Sequence, residues 1–175
     1  MPTVVLDLDS TLVYSRQASI TEDLEEDERN FYIRPIFGGA IYKVTKRKHL
    51  DFFLDELKKK KYKVIVWSAG GSAYVKDVVS VLFRGREDQI LVVLTSVHLT
   101  EGRKNLKTID QHAYFSFRPE DTRLVDDNED HALDQEDLFI KIEPFVVEGD
   151  DVTEEEDDDV LETLIERIDK SFERA

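Results

Sequence analysis

Short runs of apolar and β-branched residues recur along the chain and predict buried strands. The first run covers Thr3 to Leu8, and the later ones are "YKVIVWS", "QILVVLTS", "TRLVDDN" and "LFIKIEPF". Nearly continuous apolar character is typical of strands that are covered on both faces, as in a parallel sheet. The pattern therefore indicates a mainly parallel sheet.

Two segments between these strands have their apolar residues at helical spacing. The residues are Leu50, Phe53, Leu54 and Leu57 in "KHLDFFLDELKKKK", and Val75, Val78, Val79 and Leu82 in the segment from Ser72 to Arg84. The lysines that end the first segment suit a helix C-terminus, where positive charge is favourable. Strands that alternate with helices predict an α/β fold.

The segment between the first strand and the first helix follows another pattern. The acidic "TEDLEEDER" stretch predicts a solvated loop, and "FYIRPIFGGAIYKVTK" predicts a β-hairpin near residues 31–46. Gly38 and Gly39 suit a two-residue turn that requires positive φ. Pro35 predicts that the first strand of the hairpin lies at a sheet edge.

The chain divides into one globular domain and a C-terminal extension. Residues 1–147 carry the predicted strands and helices, and residues 148–159 form an acidic linker. Residues 160–175 predict an amphipathic helix. Its apolar face contains Val160, Leu161, Leu164, Ile165 and Ile168. We expect this face to pack on the domain, although a partner could also cover it.

Composition narrows the range of functions. The chain has 175 residues, of which 41% are hydrophobic, so it can bury one sizeable core. Its net charge of -15 argues against nonspecific nucleic-acid binding. The absence of cysteine excludes disulfides and a thiol nucleophile. No apolar run approaches the roughly 18 residues of a membrane span.

The expected location of the protein is intracellular, either nuclear or cytoplasmic. The first predicted strand follows Met1 so closely that no signal peptide fits before it. The "LKKKKYK" stretch could be a nuclear localisation signal, but a lysine-rich helix end is the favoured explanation.

Carboxylates follow two of the predicted strands. Asp7 and Asp9 lie at the end of the first strand, Ser68 lies at the end of "VIVW", and Asp126 and Asp127 lie at the end of "RLV". The carboxyl ends of parallel strands meet at one edge of a sheet, so these side chains should converge. An Asp-x-Asp pair alone could simply cap a turn. Several carboxylates together need a cation, and oxygen ligands favour Mg²⁺.

The sequence resembles a known phosphatase family over Thr3 to Glu143. "DLDSTLV" matches the Asp-x-Asp-x-Thr signature of the haloacid dehalogenase superfamily. With "WSAG" and "VDDN" it resembles FCP/SCP-type phosphatases, the NLI-interacting-factor-like family that acts on the C-terminal domain of RNA polymerase II. "TKRKHLDFFL" is similar to the family's Lys-Arg-Pro-His stretch, with Lys48 in place of proline.

The resemblance implies a fold and a phosphatase chemistry. The expected fold is a HAD-like, Rossmannoid three-layer sandwich with a small hairpin insertion after the first strand. The segments between the motifs are too short for a full cap domain. By resemblance, Asp7 is the nucleophile and Asp9 the general acid and base, while Thr11 and Ser68 donate hydrogen bonds to the phosphoryl group.

The resemblance also implies a metal and a lysine. Mg²⁺ would be held by Asp7, by the backbone carbonyl of Asp9 and by Asp127, with Asp126 supporting these ligands. Lys104 in "EGRKNLKTI" best matches the active-site lysine of the family. Lys107, about one helical turn later, is the alternative.

An open site suits a phosphorylated side chain on a macromolecule. We expect a protein phosphoserine or phosphothreonine substrate, with the RNA polymerase II C-terminal domain as one candidate. Tyr74 matches one wall of the family's proline pocket and is a candidate substrate-binding residue. Gly71 stands where the family has a larger apolar residue, and Gln17 stands where it has an aromatic residue. The resemblance therefore does not imply specificity for a proline after the phosphorylated residue.

Two alternatives stay open from sequence. A phosphatase without a cap domain could act on nucleic-acid 3′-phosphate ends or on a small phosphoester. The net charge argues against the first substrate, and the open site argues against the second. The chain could also be a catalytically silent module that binds phosphoproteins. Retention of several mutually repelling carboxylates argues against a silent site.

Overall fold

The computed structural model describes residues 1–19, 21–112 and 114–174. In chain order the strands are β1 (Thr3–Leu6), β2 (Val13–Gln17), β3 (Asn30–Ile33), β4 (Tyr42–Lys46), β5 (Lys63–Trp67), β6 (Ile90–Leu94), β7 (Thr122–Asp126) and β8 (Phe139–Lys141). The α-helices are α1 (Leu50–Lys59), α2 (Ser72–Leu82) and α3 (Val160–Glu173). Short 3₁₀ turns fill several of the connections.

Five strands form a parallel sheet in the order β6-β5-β1-β7-β8. All of its strand pairs are parallel. This arrangement confirms the predicted α/β fold with a parallel central sheet. The first strand lies in the middle of the sheet, between β5 and β7, so its carboxyl end is flanked by the ends of both neighbours.

The two faces of the sheet bury alternate residues of each strand, as strand geometry requires. Val4 and Leu6 face a core that also contains the buried residues of α1, α2 and α3. Val5 faces the opposite core, where Leu106 and Ile109 from a 3₁₀ turn cover the sheet. Among the described residues, all three α-helices therefore lie on one face, and short turns cover the other.

A second, three-stranded antiparallel sheet is inserted after β1, in the order β2-β4-β3. The edge position predicted for β3 is correct. The predicted two-residue turn is wrong, because residues 34–41 connect β3 to β4. Gly38 does adopt a positive φ of 74°, but inside this longer loop. Strand β2 was not predicted at all.

Helix α3 packs against α1. Its residues Leu161, Leu164 and Ile168 are fully buried, in the same core as the apolar residues of α1. The acidic segment that precedes α3 contacts basic residues of the domain, including an Arg29–Asp157 pair at 3.1 Å and an Arg47–Asp158 pair at 2.7 Å. No helix among the described residues is long and apolar enough to cross a membrane.

Candidate active site

Three aspartates meet where the central strands β1 and β7 end. Asp7 follows β1, Asp126 is the last residue of β7, and Asp127 comes next. One carboxylate oxygen from each lies within 4.8 Å of the others. Asp7 and Asp126 are buried, with 6% and 1% exposure. Parallel pairing of β1 with β7 explains this convergence.

Lys104 lies between two of these carboxylates. Its Nζ is 2.8 Å from Asp7 Oδ1 and 2.5 Å from Asp126 Oδ2, and the side chain is 1% exposed. Lys107, the alternative from the sequence, is exposed. The structure therefore brings Lys104 to the carboxylates and leaves Lys107 at the surface.

Two residues that sequence reasoning missed hold Lys104 in place. The Lys104 amide donates to His131 Nδ1 at 3.2 Å, and the Gln135 side-chain amide donates to the Lys104 carbonyl at 2.6 Å. Gln135 also donates to the His131 carbonyl at 2.6 Å. Neither residue belongs to a recognisable motif, and both lie far from Lys104 in sequence. No sequence signal could have identified them.

Thr11 connects Asp7, after the first strand, to Asp127, after β7. Its hydroxyl lies 2.9 Å from Asp7 Oδ2 and 3.2 Å from Asp127 Oδ1. The loop turns sharply here, because Ser10 has a positive φ of 63°. The Thr11 and Leu12 amides both donate to the Leu8 carbonyl, at 3.1 and 2.8 Å.

Ser68 lies where strand β5 ends, next to β1. Its side chain is fully buried, and its Oγ accepts a hydrogen bond from the Gly70 amide at 3.0 Å. The Ser68 amide donates to the Leu94 carbonyl of β6 at 3.0 Å, which continues the ladder. The Ser68 hydroxyl also interacts with the Asp9 carboxylate, and this hydrogen bond acts to lower the pKa of Asp9.

Asp9 stands apart from the three clustered carboxylates. The Tyr74 hydroxyl donates to Asp9 Oδ1 at 2.5 Å and also contacts Ser15 Oγ. Sequence reasoning assigned Tyr74 to the wall of a substrate pocket. The structure adds a direct contact with the candidate acid and base, which the sequence did not indicate.

Burial dominates the electrostatics of the site. It raises the pKa of Asp9; the hydrogen bond from Tyr74 opposes this rise, and the charge of Asp7 adds to it. Burial and the adjacent Asp7 carboxylate raise the pKa of Asp127 to about 6. Burial disfavours the charged form of Lys104, yet the charges of Asp7 and Asp126 outweigh this and raise its pKa. Lys104 is therefore an ammonium ion at neutral pH.

The clustered carboxylates fit a hard divalent cation. The set of Asp7, Asp126 and Asp127 supplies only oxygen ligands, which suits Mg²⁺. Lys104 is the one cation bound to these carboxylates among the described residues. A single ammonium leaves most of the carboxylate charge at this site unbalanced, and a bound dication would offset it.

The strand order and the Asp-x-Asp-x-Thr loop after the central strand define a haloacid-dehalogenase-like fold of the phosphatase type. Within this class, the chain belongs to the NLI interacting factor-like phosphatase family, because residues 2–174 match the sequence model of that family. The resemblance seen in the sequence is thereby confirmed. No curated protein sequence matches the chain significantly.

Two solved structures of Fcp1, an RNA polymerase II CTD phosphatase, are similar to this chain. A fission yeast Fcp1 variant bound to beryllium fluoride is 20% identical to this chain, with a TM-score of 0.61. The match covers 98% of this chain and 50% of the Fcp1 chain. A second Fcp1 structure has 20% identity and a TM-score of 0.62, covering 98% and 49%. The chain thus spans about half the length of these proteins, and the likeness shows a common fold.

Proposed function

We propose that the protein is a Mg²⁺-dependent protein serine/threonine phosphatase that acts through an aspartyl-phosphate intermediate. The arrangement around Asp7 carries the proposal. Lys104 Nζ lies 2.8 Å from one Asp7 oxygen, and the Thr11 hydroxyl lies 2.9 Å from the other. An ammonium and a hydroxyl on the same carboxylate fix its orientation for attack on phosphorus.

In the first step, an Asp7 oxygen forms a bond to phosphorus while the bond to the ester oxygen breaks. The leaving oxygen takes a proton from Asp9 and departs as the serine or threonine hydroxyl. The raised pKa of Asp9 favours the protonated form that this step requires. Lys104, Thr11 and Ser68 stabilise negative charge on the transferring phosphoryl group.

In the second step, water attacks the phosphorus of the aspartyl phosphate. Asp9, now ionised, takes a proton from this water, and Asp7 leaves as a carboxylate with release of phosphate. The Tyr74 hydroxyl supports this half of the cycle, because its hydrogen bond favours the ionised form of Asp9. Asp9 thus changes protonation state between the steps.

Asp7 and Asp127, with Asp126, are the side chains that would hold Mg²⁺. The backbone carbonyl of Asp9 is a further proposed ligand. When bound, the cation neutralises charge on the phosphoryl oxygens and on the surrounding carboxylates. The protein residues keep the roles given above, which are attack, proton transfer and orientation.

The surroundings of the site support a macromolecular substrate. A shallow cleft of about 380 Å³ lies between the β3–β4 loop and the start of α2, and Tyr74 forms part of it. Tyr42 packs edge-on against Tyr74, with ring centroids 5.6 Å apart. A phosphorylated peptide could lay an apolar side chain on these rings while its phosphate reaches Asp7. The RNA polymerase II C-terminal domain, on which Fcp1 acts, is one candidate.

The test is hydrolysis of a panel of phosphoserine and phosphothreonine peptides, some with a following proline. Wild type should release phosphate in Mg²⁺ and not in EDTA, and Asp7→Asn should be inactive. Preference for a following proline would support a polymerase-tail substrate. Folded wild type that binds Mg²⁺ but hydrolyses no phosphopeptide would overturn the proposal. Turnover of only 3′-phosphate nucleic acid or small phosphoesters would also overturn it.

A further inference from the structure

The loop that presents Asp9 and Thr11 is strained and depends on outside support. Ser10 holds a left-handed conformation, with φ of 63°, which is unfavourable for a residue with a side chain. The Ser10 carbonyl accepts a hydrogen bond from the Phe145 amide at 2.7 Å. A second support comes from Arg47, the residue that follows β4.

Arg47 reaches the loop with both its backbone and its side chain. Its amide donates to the Leu12 carbonyl at 2.9 Å, and Nη1 donates to the Thr11 carbonyl at 3.2 Å. Nη1 also lies 3.5 Å from the Ser10 carbonyl. These contacts hold the backbone carbonyls of Ser10 and Thr11 in place. Arg47 therefore fixes the turn that orients the Thr11 hydroxyl.

The Arg47 side chain is fully buried and needs a counter-charge. Asp158 supplies it through two hydrogen bonds, Nε to Oδ1 at 3.0 Å and Nη2 to Oδ2 at 2.7 Å. Among the described residues, Asp158 is the one carboxylate within 4 Å of this guanidinium. Such a bidentate pair fixes orientation as well as charge. The Phe145 ring lies 5.7 Å from the guanidinium carbon.

Asp158 belongs to the acidic segment, far from the active-site loop in sequence. One of its oxygens also accepts from the Val160 amide at 3.3 Å, in the first turn of α3. This bond connects Asp158 to the start of α3, which packs on α1. The neighbouring Asp157 pairs with Arg29 at 3.1 Å. Among the described residues, the Arg29 side chain donates hydrogen bonds to Asp157 and to the Lys46 carbonyl, and neither acceptor belongs to the active-site loop.

We propose that Asp158 is a positioning residue of the active site: through Arg47 it locks the Ser10–Thr11 turn, so that the acidic segment and α3 complete the catalytic loop. The segment thus has a part in catalysis although it touches no reacting group. This inference rests on the proposed phosphatase function for its kinetic consequence, but its structural consequence can be measured without turnover.

Asp158→Asn tests the proposal, with Asp157→Asn as the matched control. Both variants remove one negative charge from the same segment and break one arginine pair. We expect Asp158→Asn to lower kcat by at least about ten-fold with little change in KM, because misplacement of catalytic groups affects the chemical step. Asp157→Asn should change kcat less than about two-fold. Asp158→Glu, which keeps a carboxylate, should restore part of the loss.

Amide hydrogen exchange supplies the second measurement, and it does not depend on activity. The Thr11, Leu12 and Val13 amides all donate to the Leu8 carbonyl and report on the turn. They should exchange faster in Asp158→Asn than in Asp157→Asn, at a temperature where both variants are folded. Equal exchange in the two variants would overturn the proposal. Equal kcat values in an active enzyme would do the same.

The two measurements separate this proposal from the proposed function. If wild type hydrolyses no phosphopeptide, the phosphatase assignment fails, and the exchange data alone decide whether Asp158 holds the loop. If wild type is active and only the exchange and kcat differences are absent, the phosphatase assignment stands and the positioning role of Asp158 is wrong.

Discussion

At the scale of single residues, the buried Lys104 is the residue whose loss should have the clearest effect. Replacement by methionine leaves Asp7 and Asp126 buried without their common cation. Breaking a buried pair in this way typically costs about 3–5 kcal/mol of stability, so Lys104→Met should unfold at markedly lower urea concentration. The kcat of any residual activity should fall by about 10²-fold or more.

The exposed Lys107 provides the control for this change. Lys107→Met removes the same charge from the same segment, but it should leave both the unfolding midpoint and kcat almost unchanged. If Lys104→Met and Lys107→Met lost activity to the same extent, the assignment of Lys104 would be wrong.

His131 predicts a specific pH dependence. Burial, and then the charge of Lys104, lower the pKa of His131 below its ordinary value. A lowered folded-state pKa means that the unfolded chain takes up the proton first as the pH falls. The stability contributed by neutral His131 is therefore complete above about pH 6.5 and is lost as the pH falls below this value.

His131→Asn tests this dependence. An asparagine carbonyl can accept from the Lys104 amide as Nδ1 does, but it does not titrate. Between pH 7.5 and 5, roughly spanning the histidine range, the free energy of unfolding of wild type should fall more steeply than that of His131→Asn. Parallel curves from urea denaturation would contradict the assigned role.

At the scale of secondary structure elements, the α1–α3 contact makes the C-terminal helix part of the fold. Leu164 of this helix is fully buried. Leu164→Ala should lower the free energy of unfolding by about 2–5 kcal/mol, since it leaves a cavity. Thr163→Ala on the exposed side should stay within about 0.5 kcal/mol of wild type. An equally small effect of Leu164→Ala would mean that α3 does not pack on the core in solution.

The helices and strands also show which features of the fold a sequence pattern can predict. Helices α1 and α2 were predictable because their apolar residues recur at helical spacing, and the parallel strands were predictable because they are short, nearly continuous apolar runs. Strand β2 was not predicted because "VYSRQ" is short, mostly polar and directly follows the loop with the Asp-x-Asp-x-Thr motif. The glycine pair suggested a tight turn, yet the β3–β4 connection is a longer loop. Loop length depends on tertiary packing, which local residues do not encode.

The residues of the candidate site also fall into those that the sequence indicates and those that it does not. Asp7, Asp9, Ser68 and the Asp126–Asp127 pair were candidates because they lie at strand ends that converge, whereas Thr11 and Lys104 were candidates by resemblance to the family. His131, Gln135 and Asp158 were not found, since they act through hydrogen bonds across long sequence separations. Their partners become neighbours only after folding, and a single sequence gives no sign of such pairs.

At the scale of the whole molecule, the net charge of -15 should make the enzyme prefer substrates with positive charge. Long-range attraction favours a phosphopeptide with basic flanking residues over one with acidic flanks. We expect higher kcat/KM for the basic peptide at low ionic strength. The difference should shrink as salt screens the interaction. A preference that does not change with salt would indicate local contacts instead of overall charge.

The central claim is that Asp7 becomes phosphorylated, and Asp9→Asn with p-nitrophenyl phosphate tests it most directly. The nitrophenolate leaves without a proton from residue 9, so phosphorylation should proceed while hydrolysis of the intermediate is slow. Acid quench and mass spectrometry should then find phosphate on the peptide that contains Asp7, with a matching burst of nitrophenolate. Turnover by wild type with no phosphate on Asp7 in either protein would contradict the account.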